Sequence, residues 1–352
     1  MRRAVALLLG VGSLLVAGAS GRPGAVEAPR RLSQTGLYRG PALEVDPRHL
    51  AYSPQYPLWS DGAAKKRWLS LPAGTRIDAR DGDRWVFPVG TKFWKEFDFA
   101  GRKVETRLIW RATSTTWVFA TYLWNEGQTD AERAPREGVP AYVEIAPGKR
   151  HSIPGVSDCT NCHEDERTPV LGFDALQLST DRDPLAPHAE PLKPDMVTLT
   201  ELVRRRLLTP ARDDLVANPP RIRSGNPRTR ALLGYFTTNC GSCHRATGTL
   251  ALLGLDFSHP LSARDEATEP GFATTVGRSG KWAVPGAAPG ETRLIEPGAP
   301  EKSSVLYRMK SSHVTTRMPP LGTVLPDREA IDLLERWIAE ELPGVRLPPS
   351  DP

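Results

Sequence analysis

Two short stretches, Cys159-Thr160-Asn161-Cys162-His163 and Cys240-Gly241-Ser242-Cys243-His244, hold all four cysteines of this 352-residue chain. Each is a C-x-x-C-H pattern, the spacing used to attach haem c. Two thiols three positions apart can each form a thioether with one of the porphyrin's two vinyl groups. The next residue then sets a neutral imidazole nitrogen against the iron. Two other readings use the same thiols. Paired C-x-x-C motifs could make a Cys₄ zinc site, and one such pair could be a redox dithiol. Neither gives a reason for a histidine after each pair. The preferred reading is therefore two covalently attached haems, with Cys159, Cys162, Cys240 and Cys243 as tethers and His163 and His244 as iron ligands.

The chain around the second motif reads as helical. Arg228 to Thr238 is one expected helix and Pro300 to Lys310, with its proline near the start, is another. Asp327 to Leu342 is the last, capped by Asp327 and stopped by Pro343, with Ile331, Leu334, Trp337 and Ile338 as its buried stripe. Just before it stands Arg317-Met318-Pro319-Pro320-Leu321-Gly322. A methionine thioether is a soft sixth ligand that favours reduced iron and raises its potential. The prolines stiffen the loop that would present Met318. Met309 shares a stripe with Val305 and Leu306 and reads as core.

That order of helix, C-x-x-C-H, long loop, Met-Pro-Pro and C-terminal helix resembles a class I cytochrome c domain over residues 228–342. In that family the first and last helices cross near a glycine with an aromatic residue at the crossing. The resemblance gives those places to Gly234 and Trp337. It also implies that haem is attached outside the cytoplasm. Gly254 to Pro300 is longer than the compact fold needs, and Leu252–Phe257 is expected to pair with Thr292–Pro297 as an added ribbon.

The first motif departs from this pattern. No Met-Pro-Pro loop follows it, and no obvious helix precedes it, since Pro154 and Gly155 stand just upstream. Met196 leads the candidates for a sixth ligand, ahead of His188 and His151, and an open or water-bound iron is the remaining option. His49, His259 and His313 read as surface or core histidines.

Residues 38–150 read as all-β and sandwich-like, antiparallel. Arg84–Val89, Thr91–Phe99, Lys103–Trp110 and Trp117–Trp124 are the expected strands, with a turn at Phe99-Ala100-Gly101-Arg102. Seven of the nine tryptophans (Trp59, Trp68, Trp85, Trp94, Trp110, Trp117, Trp124) fall here. They are expected to fill a core rather than to form an exposed platform for a ligand. Glu96, Asp98 and Glu105 could suggest acid/base chemistry, but alternation puts Glu105 beside Lys103 and Arg107 on what reads as a solvated face. Thr198–Leu208 reads as a helix opened by a Thr198/Glu201 capping box, with Arg204-Arg205-Arg206 on its solvated side.

At the N-terminus, Arg2 and Arg3, the apolar run Ala4–Val16 and Ala17-Gly18-Ala19 read as a cleaved signal peptide ending before Ser20. The fold class expected is multidomain α+β. It comprises a signal peptide (1–19), a flexible leader (20–37), a β-rich domain (38–150), a first haem-binding segment (151–225), a mostly α, class I cytochrome c-like domain (226–345) and a tail (346–352). Net charge is +5, or +3 without Arg2 and Arg3. That is mild for the size and does not resemble a nucleic-acid binder's basic stripe; weak steering toward an acidic partner fits it.

The expected role is that of a periplasmic electron carrier. It would exchange electrons with redox proteins such as an exported dehydrogenase, a terminal oxidase or another cytochrome, without nucleic acid and without a membrane span after cleavage. Three other readings stand beside it. One is a di-haem enzyme resembling cytochrome c peroxidase, with an open coordination site at the first iron. Another is a mono-haem cytochrome whose first motif is vestigial. In the last, the β domain binds a carbohydrate or a protein and the cytochrome part reports on it.

Overall fold

The computed structural model describes residues 26–163, 169–280, 282–288 and 291–345. The expected signal peptide and the 346–352 tail lie outside these residues. The fold is mixed α+β. Its largest element is a six-stranded antiparallel sheet: β1 (Leu50–Ala51), β2 (Ala64–Ser70), β3 (Lys92–Phe99), β4 (Arg102–Arg111), β5 (Trp117–Trp124) and β6 (Ala131–Arg133), in that spatial order. β3 and β4 turn at Ala100 (φ 52°) and Gly101 (φ 82°), both left-handed. This is the expected site, where the twist of two antiparallel strands favours positive φ. A β-hairpin, β7 (Val139–Ala146) and β8 (Lys149–Ile153), leads from the sheet into the first motif.

The expected sandwich is replaced by one sheet with different covers on its two faces. One face carries Trp68, Trp94, Leu108, Ala120, Tyr122 and Trp124, closed by Ala28, Leu32 and Leu37. The segment from Ala28 to Leu37, expected to belong to a flexible leader, is therefore part of the core. Ser33 also bonds Asp130 through its hydroxyl at 2.7 Å. On the other face, Leu69 and Phe93 meet Trp85, Phe87, Phe173, Val197, Leu199 and Leu202. Arg84–Val89 forms no strand; Val86 only bridges Asp78.

Of the seven tryptophans, Trp68, Trp85, Trp94 and Trp124 are buried and Trp59, Trp110 and Trp117 half-buried. None is an exposed platform.

The helices fall close to their expected places. α1 (Val156–Cys162) contains both cysteines of the first motif, although no helix was expected there. α2 (Leu199–Arg204) is capped by Thr198, whose side chain accepts from Glu201 N, and it stops four residues short of the expected end. Arg204 and Arg205 pair with Glu201 on its exposed side. α3 (Pro227–Asn239) starts under the Asn226 side chain. α4 (Ser304–Lys310) follows a 3₁₀ turn at Pro300–Lys302 rather than starting at Pro300. α5 (Arg328–Arg336), capped by Asp327, continues as a π-helical turn over Trp337–Glu341.

Leu232, Leu233, Phe236, Leu306, Leu334, Trp337 and Ile338 form one core, and Tyr56, Leu176 and Ala186 from earlier in the chain complete it. Trp337 donates its Nε1–H to Thr229 Oγ1 at 2.8 Å. Gly234 serves a different neighbour from the one the resemblance implies. A Cβ there would stand 2.1 Å from the Tyr56 ring, so the glycine makes room for Tyr56, not for the last helix. The expected Leu252–Phe257 ribbon is also absent; Val276 and Ser279 bridge to Ile295 and Arg293 instead.

Candidate functional site

The second motif begins where α3 ends, because Cys240 is the residue that closes the helix. The His244 carbonyl accepts from Phe257 N at 2.9 Å, and the two rings meet edge to face at 5.9 Å. Cys240, Cys243, His244 and Met318 all line one cleft. Its walls are chiefly apolar, with Leu255, Phe257, Trp282, Leu294, Val305 and Leu325 among them. It contains about 1360 Å³ of space, counting its open side. Met309, read as core, is 7% exposed and borders the same cleft.

Met318 is brought there by its backbone. Its N–H donates to Arg308 O on α4 at 2.9 Å, and the Arg317 guanidinium donates to Pro320 O at 3.1 Å. The loop is anchored from the sheet side as well. Asp61 Oδ1 accepts from Val324 N at 2.8 Å and Leu325 N at 2.9 Å, and Trp59 Nε1 donates to Leu325 O at 2.9 Å.

The first motif lies against the sheet. Gly155 opens α1, and a Cβ there would stand 2.6 Å from Glu137 O. Only glycine lets the hairpin approach this closely. His163 follows α1, its Nδ1 paired with the Pro169 carbonyl and its ring 5.6 Å from Phe119 on β5. With Nδ1 as donor, Nε2 is left with a lone pair to offer a metal. Burial holds His163 well below its usual value, at about 4, so the ring is neutral at ordinary pH.

The two motifs meet. The Cys162 thiol is pushed up first by its hydrogen bond with Cys243 and then by burial. Burial also raises Cys159 and pushes Cys240 up to about 12. A redox dithiol needs the opposite shift. Among the described residues, no group of three or more His, Cys, Asp or Glu is placed to hold a metal ion, which disfavours a Cys₄ zinc cluster.

None of the expected sixth ligands for the first motif is in place. Met196 bridges Ala51 at the edge of the sheet, while His163 adjoins β5 near the other edge. Five strand spacings of ~4.8 Å put them on the order of 20 Å apart. The Met196 sulfur accepts from Lys193 N at 3.5 Å instead. His188 is held by Asp327 at 2.8 Å and Glu329 at 3.1 Å. His151 is held by Asp61 at 3.2 Å and Glu105 at 3.1 Å. Both ring nitrogens of each histidine are thus engaged.

Glu105 corrects another expectation. It is 0% exposed and receives two hydrogen bonds from Arg107, at 2.6 and 3.0 Å. Alternation put Glu105 and Arg107 on one face correctly, but a bulge at Val104 turns Lys103 to the other face, over the Trp124 ring, and His151 from β8 helps to cover Glu105. Burial drives the Glu105 carboxyl upward, yet Arg107 and His151 outweigh it and hold the group at about 2. The same two carboxylates oppose the desolvation of His151 and leave its pKa raised.

Buried Asp61, His151 and Glu105, with half-buried Arg107, therefore form one chain from the Met318 loop toward the first motif. Sequence reasoning missed Asp61 and Trp59, since nothing local marks them.

The residues at both motifs fit a covalently held haem. The donor set is two thiols and a free imidazole edge at the first motif. At the second it is two thiols, an imidazole and a thioether around an apolar cleft. The Nδ1 of His244 differs from that of His163 in having no partner among the described residues. Among the described residues, no helix is long and apolar enough to cross a membrane. Comparison with family models, curated proteins and solved structures gives no match to this chain.

Proposed function

We propose that the protein is an exported di-haem c-type cytochrome that transfers electrons. The observation that carries this reading is the convergence of Cys240, Cys243, His244 and Met318, far apart in sequence, on one apolar cleft. A bound haem supplies an iron centre that accepts and returns one electron. The chain's own residues do the rest. His244 and Met318 would be the residues that ligate its iron, and a thioether raises the potential. Leu255, Phe257, Trp282 and Leu294 keep the centre apolar, which disfavours the more charged oxidised state.

At the first motif His163 would ligate through Nε2, with the Pro169 carbonyl fixing the ring. The hydrogen bond between the Cys162 and Cys243 thiols would make the two tether sites neighbours. The 226–345 region is proposed as the class I cytochrome c-like part. Redox proteins outside the cytoplasm are the proposed partners.

A pyridine haemochrome assay combined with intact mass tests the reading. Two covalent haems per chain are expected; colourless protein with free thiols would sink it.

The engagement of Met196, His188 and His151 elsewhere favours a second reading, a peroxidase-type enzyme with an accessible iron at the first motif. Only low-spin haem in the oxidised protein, with no peroxide turnover after reduction, would remove it.

A further inference from the structure

The sheet face beside the first motif carries more positive charge than its described partners neutralise. In the strand register Arg67 on β2 stands opposite Lys95 on β3, and Lys95 stands opposite Arg107 on β4. Three cations thus lie side by side, with strands ~5 Å apart, and Lys65 shares their face. The three differ in how they are satisfied. Glu105 holds Arg107 through two hydrogen bonds. Arg67 gives Nη1 to Glu190 at 3.0 Å, but its Nη2 is buried and unpartnered in a side chain 4% exposed. Lys95 has no carboxylate partner among the described residues, and its ammonium sits 4.9 Å from the Phe97 ring centroid. Arg107 covers the same ring at 4.2 Å.

Burial, then Arg67, Lys65 and Arg107, hold the half-buried Lys95 ammonium well below its ordinary pKa, so full charge along the row is favoured only with an anion beside it. Such a row is explained by an anion that it receives. It also adjoins the first motif. His163 stands 5.6 Å from Phe119, and Phe119 shares its strand with Thr121, the residue opposite Arg107.

We propose that Arg67, Lys95 and Arg107 form a carboxylate-binding wall, filled by the propionate groups of the haem tethered at Cys159 and Cys162. The proposal rests on the haem reading above. A tethered carboxylate suits the site better than a free one, because the half-buried Phe119 beside the row offers apolar surface to a macrocycle. The β-rich region would then be one wall of the first haem site and not a separate ligand-binding module.

The test uses the full-length loaded protein with Lys95→Met, Lys95→Arg and Arg67→Gln. Readouts are haems per chain and the midpoint potential of each haem. The potential that does not respond to Met318→Ala is assigned to the first haem. In Lys95→Met that potential should fall, since a nearby cation stabilises the reduced iron. It should fall also in Arg67→Gln and stay near the parent value in Lys95→Arg, while the second haem is unchanged and two haems remain bound. A parent protein carrying no haem at Cys159 and Cys162 would overturn the haem reading itself. Two bound haems with an unmoved first potential in Lys95→Met and Arg67→Gln would overturn the wall alone. A rise in potential in Lys95→Met, with an altered spin state in both lysine variants, would make Lys95 an iron ligand and also overturn it. Phosphate and acetate should leave the potential unmoved; a saturable shift that Lys95→Met abolishes would assign the site to a diffusible anion instead.

Discussion

Gly234→Ala should destabilise the protein through Tyr56 rather than through the last helix. Alanine favours a helix over glycine by about 1 kcal/mol, so an open site on α3 would gain that much. Here the added Cβ would lie 2.1 Å from Cε1 and 2.2 Å from Cζ of a ring only 2% exposed. The ring is fixed, since Tyr56 N donates to Gln177 Oε1 at 3.0 Å and its hydroxyl donates to Asp183 at 3.3 Å. Overpacking of a rigid core costs about 1–3 kcal/mol, and the depth of this overlap points to the upper end. The net loss should be about 2 kcal/mol. Chemical denaturation of four proteins tests it: parent, Gly234→Ala, Tyr56→Leu and the double variant. With the ring gone, the alanine should cost nothing or stabilise by up to about 1 kcal/mol, giving a coupling of about 2–3 kcal/mol. Additive effects, or an alanine variant as stable as the parent, would refute the reasoning. Coupling to Trp337 instead would restore the helix crossing implied by the family resemblance.

Other outcomes follow from the same geometry. Met318→Ala should retain two covalent haems, lower the potential of one and open that iron to carbon monoxide; an unchanged potential would remove Met318 as ligand. Replacing Cys159 and Cys162 with alanine should leave one haem per chain by intact mass. The Glu105–His151 pair should give a stability window. Glu105 is depressed from 4.5 to about 2, so its contribution, on the order of 3 kcal/mol, is present above pH 4.5 and lost as pH falls toward 2. His151 is raised above 6.5, so its contribution is present below that pH and lost as pH rises through the higher folded value. In Glu105→Gln the acid limb of a denaturation-versus-pH series should flatten; an unaltered limb would deny the pair this role. Acrylamide should quench tryptophan fluorescence weakly, because the rings are buried or half-buried.

How much of this was legible in sequence depended on range. The C-x-x-C-H motifs, the Asp327 helix start and the β3–β4 turn are local chemistry, and they were readable. Alternation placed Glu105 and Arg107 together but could not say that Glu105 would be buried against His151, because burial is decided by segments far along the chain. Gly234 was recognisable as a close-approach site, yet its partner lies in the segment before β2. Met196 was a reasonable thioether until the sheet order set it strands away from His163. Asp61 gave no signal at all, since its importance comes from joining His151 to the Val324 and Leu325 amides.

The Cys162 and Cys243 sulfurs become neighbours only once the sheet and the helices have docked. Under the proposed di-haem reading, each thioether would have to be made while the polypeptide is still open enough to admit whatever catalyses the bond. A chain that collapsed early would present two adjacent thiols to any oxidant, and a cross-link between them would take one tether from each motif at once. The shape would then impose an order on biogenesis, with tethering first and compaction afterwards.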